Sequence, residues 1–170
     1  MKRLVVRAAW ALAALVLGGA GPALAGDPVR DLLAADRLAC AYLKGITTAF
    51  SPQGGVLMKP PLDPNSPGLT IDIIDRAKGR ALLEEDDRET PGVLMTAPTG
   101  LTVLARDQAG NVTLVTIFAQ YSGVSENFLM VSSLHAAGTQ PRMSQRYGLC
   151  RVVPARESAP PPPAAPAPHQ

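Results

Sequence analysis

Ser132, Ser133 and His135 sit within one short stretch, and a serine beside a histidine is the pairing that acyl-transfer chemistry uses. In that chemistry the imidazole takes the hydroxyl proton and a carboxylate orients the imidazole. The sequence puts no carboxylate at a telling distance from His135, and no Gly-x-Ser-x-Gly elbow lifts either serine out of a sheet. His135 therefore reads as a residue that ends a strand and bonds a loop carbonyl, with a hydrolase using Ser132, Ser133 or His135 as an alternative. A zinc site calls for several His, Cys or carboxylate ligands at short spacing. His135 has no such company, and His169 falls in a Pro/Ala-rich stretch. Asn111-Val112-Thr113 matches the N-glycosylation triplet but reads as the end of a turn. Gly54-Gly55 makes no phosphate loop, and the run Glu84 to Glu89 lacks the alternating acidic spacing of a calcium loop. No cofactor or metal is expected.

Cys40 and Cys150 are the two cysteines of the 170-residue chain. Redox catalysis would need them close together, as in C-x-x-C; their distance along the chain predicts a structural disulfide tying the start of the folded region to its end. That expectation depends on an oxidising compartment. Residues 1–25 supply it, with Lys2 and Arg3 ahead of an apolar run from Ala8 to Gly18 and the small-x-small exit Ala23-Leu24-Ala25. This is the layout of a secretory signal peptide cleaved before Gly26. A retained membrane anchor is the competing reading, and Gly18, Gly19, Gly21 and Pro22 speak against a spanning helix. The expected location is periplasmic or secreted, without stable membrane insertion after cleavage.

Cleavage also changes the charge. The full chain carries 16 basic and 14 acidic residues, a net of +2. Without Lys2, Arg3 and Arg7 the balance is 13 against 14, a net of −1, so charge lends no support to a nucleic-acid partner. The acidic run Glu84 to Glu89 and the basic Arg142, Arg146, Arg151 and Arg156 read as a solvated loop and an ordinary basic rim. Aromatic residues make up 4% of the chain and Trp10 leaves with the leader, which argues against stacking platforms for carbohydrate.

The elements that would position these groups are mostly strands. Asp27-Pro28 looks like a helix cap and first helical position, predicting a short helix or linker over 26–37. The β domain is expected over 38–153, with a bulge at Gly45 in its first strand and a proline-rich loop from Pro60 to Gly68. Turn residues recur at about ten-residue spacing, and Asp107 to Asn111 make the strongest hairpin signal. The predicted fold is an all-β, small antiparallel up-and-down barrel of about eight strands with a short N-terminal helix; a sandwich is the alternative. A disulfide between first and last strands favours the barrel, where these strands are neighbours. The Pro/Ala-rich segment 154–170 reads as an extended tail. One alternating set along three strands is expected to line the interior, where it would fill a small barrel or hold an apolar guest: Leu101, Val103 and Ala105, then Val112, Leu114 and Phe118, then Phe128, Met130 and Leu134. Val115, Ile117, Leu129 and Val131 would face outward.

The stretches Gly110 to Phe118, Val131-Ser-Ser-Leu-His135 and Met143-Ser-Gln-Arg-Tyr-Gly-Leu-Cys150 resemble small exported proteins of proteobacteria that are defined by domain alone, with a C-terminal Ser-Gln-x-Tyr-Gly-x-Cys segment. That resemblance implies no activity, and the basic residue such proteins carry before the histidine is Leu134 here. The cysteines in the first and last strands also look like the layout of small periplasmic lysozyme-inhibitor barrels, a likeness of topology only. The expected function is a non-enzymatic binding or interaction protein for a small apolar ligand or an envelope protein. The alternatives are an inhibitor of an envelope hydrolase presenting the Pro60 to Gly68 loop, and the hydrolase named above.

Overall fold

In a computed structural model the described residues are 26–51, 53, 55–59, 68–139 and 141–156. The expected signal peptide over 1–25, most of the proline-rich loop (60–67) and the tail from 157, with His169, lie outside the described residues.

Helix α1 (Pro28–Ala34) starts where the Asp-Pro pair predicts. The Asp27 carboxylate accepts from the backbone N–H of Val29 at 3.0 Å and of Arg30 at 3.3 Å, and Pro28 fills a position whose N–H would have no partner. The helix ends at Ala35, which is extended. Replacing Asp27 with alanine should cost about 1 kcal/mol, the usual worth of such a cap, read from urea unfolding.

Among the described residues nine strands follow: β1 (Arg37–Phe50), β2 (Val56–Lys59), β3 (Leu69–Asp75), β4 (Arg80–Glu85), β5 (Arg88–Ala97), β6 (Gly100–Arg106), β7 (Val112–Ser122), β8 (Ser125–Ala136) and β9 (Arg142–Val152). All neighbours pair antiparallel. The sheet runs β1-β3-β4-β5-β6-β7-β8-β9, and β9 returns to β1 to close an eight-stranded barrel. Strand β2 pairs only with the far end of β1, from Thr47 to Phe50, and stands outside the closed ring. Cys40 and Cys150 oppose each other across the closing seam and are joined by a disulfide.

The turns follow local chemistry. In the β6–β7 connection Asp107 N–H donates to the Asn111 carbonyl at 3.0 Å, and Gly110 takes a left-handed φ of 86° that a side chain would strain. Asp86 and Asp87 join β4 to β5 with φ of 53° and 58°, the two-residue hairpin in which Asp is tolerated at positive φ. Two boundaries differ from expectation. The bulge in β1 falls between Tyr42 and Lys44 rather than at Gly45, leaving Leu43 exposed on the outer surface. The β7–β8 turn is also tighter than the Tyr121 to Asn127 segment suggests, because β7 runs to Ser122 and β8 resumes at Ser125.

Inside the barrel, Leu38, Leu69, Ile71, Leu101, Val103, Val115, Ile117, Phe128 and Met130 form one buried cluster with the disulfide. Leu32 of α1, fully buried, and Ala35 join this cluster from the end where β1 begins. The inward set holds on β6 (Leu101, Val103, Ala105) and on β8 (Phe128, Met130). On β7 it is inverted. Leu114 and Phe118 are 37% and 39% exposed, Val112 shares their face, and Val115 and Ile117 are the buried residues. Both faces of β7 are apolar, so alternation cannot choose between them. The hairpin register decides, placing Val103 opposite Val115 and Leu101 opposite Ile117.

At the helix end the Tyr121 hydroxyl donates to the Asp31 carboxylate. This hydrogen bond, with burial and the Asp31 charge, pushes the phenol up to about 12 from its ordinary 10.0. A raised folded-state value means that the stabilisation is complete below pH 10 and is lost as pH rises from about 10 through about 12. Tyr121→Phe should flatten the fall in stability across that window, measured by urea midpoints at successive alkaline pH values. Parallel curves for the two proteins would show that the bond contributes nothing.

Candidate functional site

The two ends of the barrel differ in chemistry. Towards the end opposite α1 the lumen turns polar. The Thr47 and Ser144 hydroxyls bond at 2.8 Å across the β1–β9 seam, and Ser132 is buried beside Val115 and Arg146 in the strand register. Above them, Arg146 of β9 extends over the ring of Tyr42 on β1, its guanidinium carbon 4.8 Å from the ring centroid, and pairs with Glu85 on β4. Tyr42 donates its hydroxyl to the same Glu85 oxygen at 3.0 Å. Three strands thus send side chains to one point in the lumen.

Burial shapes the behaviour of this trio. Tyr42 is held well above the ordinary phenol range, first by burial and then by the Glu85 charge. Burial works against the Arg146 charge, but Glu85 and Tyr42 more than offset it and hold the guanidinium above its ordinary range. The pair is largely shielded from water, at 19% and 23% exposed. Glu85→Ala leaves a guanidinium and a phenol without their acceptor, so it should cost roughly 2–3 kcal/mol, below the 3–5 kcal/mol of a fully buried broken pair. Urea unfolding of the variant checks this.

Over the trio opens a pocket of about 300 Å³ whose lining includes Arg88, Thr90, Thr113, Arg142 and Arg146 with Glu85, Asp86 and Asp107. Three arginines face three carboxylates, so charge alone is balanced. The carboxylates differ in how far they are already engaged. Glu85 is taken by Arg146 and Tyr42. Asp107 accepts from the Asn111 backbone at 2.8 Å and its side-chain amide at 2.7 Å, which holds its carboxyl below the usual range. Among the described residues, neither Arg88 nor Arg142 has a carboxylate within 4.0 Å, and the Arg146 Nε is buried without a partner. The mouth therefore offers free donors on the exposed Arg88 and Arg142 and a free acceptor on the exposed Asp86, which also has no ion-pair partner among the described residues.

A larger groove of about 500 Å³ lies at the other end, between α1 and the start of β8. Among its polar lining residues Asp31 and Tyr121 are bonded to each other, and Glu126, Asn127 and Arg151 complete its polar side.

The residues singled out from sequence fall in separate places. Ser132 is buried inside the barrel, whereas Ser133 and His135 lie on the opposite face of β8, with His135 exposed. The two-residue period of a strand keeps Ser132 and His135 apart, so they cannot act as a nucleophile and its base. His135→Ala should change stability by no more than about 0.5 kcal/mol, as surface replacements do. Asn111 of the glycosylation triplet is engaged within its turn, and its side-chain amide oxygen also accepts from the Ala137 N–H at 3.0 Å. Of the expected lining residues, Leu101, Val103, Phe128 and Met130 are in the core, and Val112, Leu114 and Phe118 are not.

The acidic run is exposed from Asp86 to Glu89, as a solvated loop would be, but Glu84 and Glu85 are half-buried on β4. Glu85 enters the mouth, and Glu84 and Glu89, which oppose each other on β4 and β5, are bridged on the outer surface by Arg156 at 2.5 and 2.6 Å. Arg37 adds a contact of 3.2 Å to Asp72 in the same cluster. The signal for these pairs was the match between one acidic and one basic segment, but spacing along the chain does not reveal which strands meet. No protein-family model, curated protein or solved structure matches the chain.

Proposed function

We propose that this protein is a non-enzymatic binding module of an oxidising extracytoplasmic compartment, and that it receives its ligand at the polar mouth of the barrel. The observation that carries this reading is the contrast between the two parts of the lumen. The lower part holds the buried apolar side chains of Phe128, Met130, Ile117, Leu101 and the disulfide. The upper part opens as a pocket over Arg146, Glu85 and Tyr42.

Small-molecule sites are concave and carry a few convergent polar groups on a rigid frame. Here the frame is a closed barrel whose seam is cross-linked, and the polar groups come from β4, β5, β7 and β9. The disulfide suits a periplasmic or secreted setting.

Protein expressed with its leader and purified from the periplasm tests the reading. Small molecules released on denaturation would be compared between the wild type and an Arg88→Ala/Arg142→Ala variant. A compound released by the wild type and missing from the variant supports the proposal. Identical extracts from the two proteins would oppose it.

A further inference from the structure

Resting on the mouth as the binding site, we infer that its ligand is a small hydroxylated organic acid of about six carbons. The acid group follows from the donors. Arg142 and Arg146 lie on β9 and Arg88 on β5, and in the closed order of eight strands β5 and β9 stand across the barrel from each other. The pocket thus has guanidinium groups on two opposing sides, two of the three arginines having no carboxylate partner among the described residues. A planar guanidinium presents paired donors that match a carboxylate.

The hydroxyl groups follow from the rest of the lining. Because Asp86 and Asp107 balance part of the positive charge, a bare anion gains little from the net field. A ligand hydroxyl can donate to the Asp86 carboxylate and accept from Thr90 and Thr113, so a compound carrying both an acid and hydroxyls satisfies both halves of the wall. A volume of about 300 Å³ is at the lower end for ligand sites, which sets the size at a single short chain. With no aromatic face free in the mouth, since Arg146 covers Tyr42, recognition runs through hydrogen bonds and not through stacking.

Two-dimensional amide NMR titration of the mature protein tests this with three probes at constant ionic strength: gluconate, sorbitol with the hydroxyls but no acid, and acetate with the acid but no hydroxyls. The expected result is that gluconate shifts the amides of Thr90, Thr113 and Arg142 and binds at least tenfold more tightly than either control. An Arg88→Gln/Arg142→Gln variant, whose changes touch no ion pair among the described residues, should keep its spectrum elsewhere and lose at least tenfold in gluconate affinity. Sorbitol or acetate matching gluconate at those amides overturns the hydroxy-acid assignment while leaving the mouth as the binding site. Gluconate shifts confined to residues away from the mouth remove both, and the absence of any gluconate shift overturns the assignment.

Discussion

Phe128→Ala should lower the stability of the folded protein by about 3–5 kcal/mol, whereas Leu114→Ala should change it by less than about 1 kcal/mol. Phe128 is 1% exposed and packs beside Cys150 and Tyr121, the two rings lying 5.0 Å apart. Removing its ring loses the burial of a large apolar surface and leaves a cavity that a closed barrel cannot collapse to fill, because hydrogen bonds to both neighbours hold each strand. Leu114 points outward at 37% exposed, so its truncation opens no cavity. For a domain of this size a loss of 3–5 kcal/mol lowers the melting temperature by roughly 10–20 °C. Thermal and urea unfolding of the two variants decide the matter. A large loss at Leu114 with a small one at Phe128 would reverse the assignment of the inner face.

The second large effect belongs to the disulfide. Cys40→Ala/Cys150→Ala should cost about 2–5 kcal/mol, the usual range for small secreted domains. The bridge spans 110 residues, and chain entropy assigns about 4.7 kcal/mol to a loop of about 100. It also lies on the β1–β9 seam, the pairing that closes the barrel. Both cysteines are replaced together so that no lone buried thiol confuses the result. With Cys40 at 6% and Cys150 at 0% exposure, a reductant should leave the native bond intact and cleave it once urea opens the barrel. Urea unfolding of the double variant that matches wild type within about 0.5 kcal/mol would refute a stabilising role.

Much of the frame is written in local sequence signals. The capping aspartate and Pro28 announce α1, turn residues at short intervals announce an antiparallel meander, and two distant cysteines point to a closed seam. Leu101, Val103 and Ala105 show the inward face of β6, because Thr102 and Arg106 mark the other face as polar. These signals are local, or depend on the single pairing that two cysteines allow, and such signals survive folding unchanged.

Local chemistry and one cysteine pair thus define the kind of fold and the cross-link that closes it. Tertiary structure alone decided the inner face of β7 and the makeup of the mouth. In β7 Leu114 and Phe118 compete with Val115 and Ile117 on equal apolar terms, and only pairing with β6 selects the second set. In the mouth Tyr42, Glu85 and Arg146 come from β1, β4 and β9. The inclination and register of the closed sheet bring them together, and no spacing along the chain encodes that meeting, because a barrel sets side-chain neighbours by strand order and shear and not by distance in sequence.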